Sequence, residues 1–370
     1  MRSLNYLTFD SLQEGVGASQ ALAYVLKIAP QRQVKLISFE KTTPSEKLLT
    51  SLSNAGVEWK PLDFGNFGPI GGVNRILRMA RQIDKESIVH ARGNLAAIAA
   101  MIRNPHNWIW DCRSMHADQR LALSEGKLNK IIYFGMRIFE SFLARFSSRI
   151  IVITNTVKKV FEERYSIPSG KMLMISTCVD TAKFVQKPLP ENETIRILLS
   201  GTFSPAYDLT LITKILEEMK KRSEVHVTVA ASLGATSSWN SIPYDEYLSV
   251  PHGQMIGLIE NSHCGFSIWK NDLGVCLRSV ASTKTAEFLA MGRPVFINSK
   301  QGDFQDLFKD YNIGVVTDSQ DDASVSRYVD QMYSLLRNPS TTDNCRKLAV
   351  ENFSLDEGVA NLLKLYSSLD

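Results

Sequence analysis

The sequence predicts an α/β protein with two doubly wound parallel sheets, each the core of a Rossmann-like domain. Three observations predict it. Short β-rich apolar runs alternate with helical stretches along nearly the whole chain. The alternation breaks once, over 183–194, where Pro188, Pro190 and several charges replace apolar periodicity, and then restarts. The length of 370 residues suits about two domains of ~100–200 residues. The expected division is 1–185, 186–350 and a terminal helical segment, 351–370, that packs back on the first domain.

In the first half, strands are expected at 5–8, 34–39, 58–61, 87–90, 108–111, 149–154 and 172–175. Helical patterns lie between them, at 19–28, 44–53, 73–83, 95–102, 128–145 and 157–165. The 183–194 stretch reads as a linker. Beyond it, strands are expected at 195–200, 225–230, 265–269, 294–297 and 314–316, with helices at 209–221, 254–261, 284–291, 324–336, 341–351 and 355–367. There is no short repeat; the same architecture occurs twice. In such sheets ligands bind outside the carboxyl ends of the strands, and two such domains face one another across a cleft. The residues that follow strands are therefore the candidates for chemistry.

An apolar content of 44% excludes a disordered chain. The five cysteines form no CxxC pair, which argues against a disulfide scaffold or structural zinc and suits a reducing cytoplasm. No uncharged apolar run reaches the ~18 residues of a spanning helix, and the first five residues run into a strand rather than a signal peptide. The expected location is the cytoplasm, peripheral to the inner face of the plasma membrane. The net charge of +4 divides unevenly: residues 1–185 carry 25 basic and 15 acidic side chains, residues 186–370 carry 17 and 23. A basic first half favours an anionic partner, and no nucleic acid is expected. From Lys127 to Arg149, aromatic and aliphatic residues alternate with Lys130, Arg137 and Arg145. That pattern suits either a core helix with solvated bases or an amphipathic helix on an anionic bilayer surface.

Three constellations follow strands. Gly15 and Gly17, after the first strand, allow close backbone approach and present amides to an anion, or form a flexible turn. Gln20 occupies the third glycine position of GxGxxG, which weakens a dinucleotide reading. Arg113 and His116 lie in WDCRSMHADQR, where two acids, two Arg and a His suit a polar substrate and its leaving phosphate, or ordinary loop ion pairs. Ser282 or Thr283 caps a helix whose amino end aims positive partial charge at a diphosphate. Lys284 adds a mobile full charge there. Glu287, one turn on, offers a carboxylate to ribose hydroxyls, or merely matches the helix dipole.

These residues carry a resemblance. The segment from Ser282 to Val295 is similar to the S-P-T-K-x-x-E-Y-L-A-x-G-x-P-V stretch of retaining, nucleotide-sugar-using glycosyltransferases of family 4, which have the GT-B fold. ISTCVDTAKF, ending at Phe184, resembles that family's interdomain I-P-N-G-V-D-x-x-x-F. LLSGTFSPAY, ending at Tyr207, resembles the glycine turn that opens its second domain. Tyr6 to Gln20, ISFEK ending at Lys41, and Asp111 to Arg120 resemble one bacterial subgroup. The matches run in order over nearly the whole chain.

The resemblance implies a GT-B fold and transfer of a sugar, with retention, from a nucleotide diphosphate sugar to a saccharide or lipid-linked acceptor. It implies bacterial surface polysaccharide or glycolipid synthesis, no metal, and no cofactor beyond the nucleotide-sugar co-substrate. It implies donor binding by Gly15, Gly17, Gly201, Thr202, Ser282, Thr283, Lys284, Glu287 and His252, with His116, Arg113 and Lys284 as the catalytic set. Ser279 stands where the family has its first Glu, and neither Arg nor Lys follows the glycine turn. No Asp-x-Asp occurs, which fits metal independence. The alternatives are a nucleotide-sugar epimerase or hydrolase of the same fold, and a catalytically degenerate subunit.

Overall fold

The computed structural model describes residues 1–13, 15, 17–123, 126–191, 193–201, 206–231 and 242–370, and of Lys127 and His252 the backbone only. The chain forms two units: Met1–Ser176 with Leu355–Asp370, and Thr177–Ser354.

The first unit holds β1 (Leu4–Thr8), β2 (Val34–Glu40), β3 (Glu58–Asp63), β4 (Ile88–Arg92), β5 (Asn107–Cys112), β6 (Arg149–Val152) and β7 (Met172–Met174). They form one parallel sheet in the order β3-β2-β1-β4-β5-β6-β7. The second holds β8 (Ile195–Ser200), β9 (Val225–Ala231), β10 (Glu246–Ser249), β11 (Cys264–Ser267), β12 (Val295–Asn298) and β13 (Gly314–Thr317), parallel in the order β10-β9-β8-β11-β12-β13. Each order reverses beside its first strand, which places a switch point at β1/β4 and at β8/β11.

Burial explains why these runs are strands. β1, β4, β11 and β12 are buried at every position, as parallel strands covered on both faces must be. The edge strands β3 and β10 are largely exposed. β10 is not among the expected strands, because its own end residues, Glu246 and Ser249, interrupt any apolar run; backbone pairing to β9 makes it a strand. Helices His116–Leu123 and Phe304–Tyr311 were also unexpected. The expected 19–28 helix starts as a π-helical turn, Gly17–Leu22, before Ala23–Ile28. A Cβ at Gly17 would stand 1.9 Å from the Ser11 carbonyl oxygen, so glycine alone fits there.

The 183–194 stretch, expected as a linker, is tied to the second unit. Phe184 is buried in that unit's core. Arg346 donates to the carbonyls of Thr181 (3.0 Å) and Phe184 (2.7 Å). Arg293, fully buried, donates to those of Lys187 (2.7 Å) and Pro188 (2.8 Å), and burial lowers its pKa to about 10. Proline and charge read as linker composition, while the two arginines that hold the stretch lie far along the chain. The terminal helix, Leu355–Ser367, folds with the first unit, where Lys27 pairs with Asp356 (2.6 Å) and Arg32 with Asp370 (2.6 Å).

Candidate functional site

In the second unit, β8 ends at Ser200 and turns at Gly201. Its φ of +104° suits glycine, and its N–H donates to the Ala230 carbonyl (2.9 Å). Thr202 lies outside the described residues. Tyr207 is bridged antiparallel to Trp269, with ring centroids 4.5 Å apart. The helix Thr283–Ala290 points its amino end at this corner. Ser282 occupies the N-cap position with extended backbone, but its hydroxyl makes no capping bond, and Thr283 is the first helical residue. The hydroxyl cap expected of Ser282 or Thr283 is thus not formed.

Lys284 reaches from that first turn to the end of β8. Its Nζ donates to the Ser200 carbonyl (3.4 Å) and the Tyr207 hydroxyl (3.1 Å), and lies 4.2 Å from the Tyr207 ring centroid. Among the described residues no carboxylate pairs with it. Glu287 is buried, one turn further in. Ser279 donates to the Cys276 carbonyl (2.8 Å) and so completes a local turn. His252 begins the short 3₁₀ turn His252–Gln254; its side chain lies outside the described residues. Along the same edge Gln301 Nε2 donates to Ser267 Oγ (3.2 Å), and Asn298 exchanges hydrogen bonds with the Trp269 backbone.

In the first unit, the loop after β1 is held by Glu40, the last residue of β2. Its buried carboxylate accepts from Ser11 Oγ (2.6 Å), Leu12 N–H (3.1 Å) and Ser38 Oγ (2.7 Å). Gly15 is exposed with φ +55°, and Gly17 is buried at the start of the π turn. At the ends of β4 and β5 stands a buried charge network. Asp111 meets His90 Nε2 (3.2 Å), Arg92 Nη1 (3.5 Å) and Arg113 Nη1 (3.3 Å). Tyr366 of the terminal helix bonds His90 Nδ1 (2.8 Å), and Tyr6 stacks on the imidazole at 4.4 Å. Arg92 also lies 3.6 Å from Asp10. A small pocket opens among Tyr6, His90, Arg92, Asp111 and Arg113.

The Asp111 to Arg120 segment is not one constellation. Asp111 and Arg113 belong to the buried network. His116 is exposed at the first position of its helix and makes no bond to that network. Asp118 is taken by Arg164 in a two-bond ion pair. The sequence reading missed His90, Arg92, Glu40 and Tyr207. The available signal was position: His90 and Arg92 close a strand at the β1/β4 switch point.

The protonation states follow from the surroundings. Burial would raise the Asp111 carboxyl, but Arg113, His90 and Arg92 outweigh it and hold Asp111 well below the usual carboxylate range. Burial lowers the His90 imidazole against the pull of Asp111. Burial lifts Tyr6 to about 12 and pushes Tyr366 well up. His90 is therefore neutral, donates from Nε2 to ionised Asp111, and accepts the Tyr366 proton at Nδ1. Among the described residues no group of three or more His, Cys, Asp or Glu is placed to hold a metal ion.

No protein-family model matches the chain, and no curated protein is similar to it in sequence. Solved structures are similar over its whole length. Sucrose-phosphate synthase from Thermosynechococcus elongatus has a TM-score of 0.74 at 11% identity, covering 100% of this chain and 99% of that one. HepE of Anabaena, in complex with UDP and glucose, has a TM-score of 0.68 at 12% identity, covering 100% of both chains. A putative UDP-N-acetylglucosamine 2-epimerase from Listeria monocytogenes has a TM-score of 0.62 at 12% identity, covering 99% and 96%. The chain has the GT-B fold, built from two Rossmann-like domains, as its ordered motifs imply.

Proposed function

We propose that the chain is a retaining, metal-independent glycosyltransferase of the family 4 type. The second unit takes a nucleoside diphosphate sugar and the first takes a saccharide or lipid-linked acceptor. Lys284 carries this reading. Among the described residues it has no carboxylate partner, and it is set at the amino end of a helix and against the end of β8 beside the Gly201 turn. A departing diphosphate is stabilised by that combination, because fixed amides are oriented before the charge develops and the ammonium follows it. The UDP and glucose held by HepE support a nucleotide-sugar donor. Synthesis of a bacterial surface polysaccharide or glycolipid is the setting that the sequence motifs favour.

In the proposed reaction the acceptor hydroxyl oxygen bonds to the anomeric carbon. The bond from that carbon to the β-phosphate oxygen breaks, and its electron pair stays on the phosphate. The acceptor's proton passes to the same departing oxygen. Attack and departure on one face preserve the anomeric configuration. Glu287 accepts from ribose hydroxyls, Lys284 meets the diphosphate, and Arg113 and His116 serve the acceptor side.

A thermal-shift screen across UDP-, GDP-, ADP- and CMP-sugars tests this, because a ligand that binds the folded state raises its melting temperature. The donor is expected to stabilise the chain and to yield a product of unchanged anomeric configuration once an acceptor is added. An inverted product overturns retention. Donor turnover without acceptor assigns the chain to epimerase or hydrolase chemistry; the Listeria structure is named as a putative epimerase. Stabilisation by no nucleotide indicates a degenerate subunit.

A further inference from the structure

In the first unit the helices Gly68–Gln82, Asn94–Arg103 and Lys127–Phe146 form one layer, the middle one packed against both others. A helix on a water-facing surface buries its apolar stripe and exposes its charges. The longest of these exposes an apolar stripe beside its bases. Leu128, Ile131, Phe134, Ile138, Phe142 and Phe146 recur at helical spacing and are 47–69% exposed. Its one carboxylate, Glu140, is turned inward at 2% exposure. There it accepts from the Tyr165 hydroxyl (2.8 Å), the Ala117 N–H (3.1 Å) and Asn94 Nδ2 (3.4 Å).

The neighbouring helices repeat the pattern. Ile70, Val73 and Leu77 of the first and Leu95 and Ile102 of the second are also exposed. The three helices together hold eight Lys and Arg and one acid, the buried Glu140. Arg81, Lys130 and Arg145 are exposed, and the helices present no carboxylate outward to balance them. Exposed apolar residues gathered in this way mark an interaction surface.

The charge selects the occupant. A second copy docking the same face by two-fold symmetry would oppose like charges. An anionic bilayer offers phosphates to the bases and acyl chains to the stripe. Among the described residues no helix is long and apolar enough to cross a membrane, so the layer lies on the surface. We infer that this three-helix layer docks the chain on an anionic lipid surface, with its phenylalanine and isoleucine stripe at the headgroup boundary and Arg81, Lys130 and Arg145 on lipid phosphates. The inference stands whatever sugar chemistry the chain performs.

Co-sedimentation of the full chain with vesicles tests it. Binding is expected to phosphatidylcholine mixed with phosphatidylglycerol, and not to phosphatidylcholine alone, and to weaken with added salt. Two paired variants probe the two contributions, with thermal melting to show that each is folded. Phe134→Asp with Ile138→Asp removes apolar insertion, and Lys130→Glu with Arg145→Glu removes the attraction; each is expected to lower the partition about tenfold or more. Wild-type protein that ignores anionic vesicles overturns the inference, as does binding unchanged in both pairs. So does a concentration-dependent dimer in light scattering that forms through this face without vesicle binding.

Discussion

The carboxyl edges of the two sheets share a topology and differ in how charge is arranged on them. In the first unit Asp111 is surrounded by His90, Arg92 and Arg113, all buried or half-buried, and each ionic group has an opposite partner. In the second, among the described residues, Lys284 donates to neutral oxygens, the Ser200 carbonyl and the Tyr207 hydroxyl. A closed network fixes the backbone that carries it, because removing one member leaves buried charge uncompensated. A cation held by neutral acceptors retains most of its field, and an arriving anion gains from it. One edge is therefore closed by its own ion pairs, and the other is the edge where the proposed function places an anion.

Lys284→Met carries the largest expected effect. It should lower turnover about 100-fold, the scale of one lost electrostatic donor to a developing anion, while moving the melting temperature little. Steady-state kinetics with the donor identified by thermal shift measures the first, and calorimetry the second. Asp111→Asn should do the opposite. It leaves Arg92 and Arg113 without their shared anion and should cost ~3 kcal/mol in urea unfolding. A stable Asp111→Asn protein, or an unfolded Lys284→Met protein, would erase the contrast between the two edges.

The sheet plan was legible because buried parallel strands are apolar runs of strand length, and β1, β4, β8 and β12 announce themselves in that way. The Lys284 helix was legible through local spacing. The network around Asp111 was not. Arg92 meets Asp111 because β4 and β5 are neighbours in register, with Arg92 opposite Asp111, and chain order does not state which strands pair. Tyr207 reaches Lys284 across 77 positions for the same reason. The stretch from Lys127 to Phe146 shows a further limit. Its periodicity marks an amphipathic helix, yet which side faces water depends on Tyr165, Ala117 and Asn94 binding Glu140. Composition likewise could not show that Arg293 and Arg346 would fasten 183–194 to one unit.

The smallest expected effect probes how the first edge responds to acid. His90 has its folded pKa lowered below the ordinary 6.5, chiefly by burial. As pH falls through 6.5 the unfolded chain takes up a proton that the folded chain refuses, so stability declines from there toward the folded value. Asp111, also lowered, adds a second decline below its ordinary 3.8 as pH approaches its folded value. His90→Gln should remove the first decline and leave the second. Between pH 6.5 and 5.5 the variant should lose less stability than the native chain, read from urea unfolding at both values. An equal loss would mean that His90 already carries its proton. The network would then hold three cations around Asp111, and the first edge, like the second, would have positive charge to offer an anion.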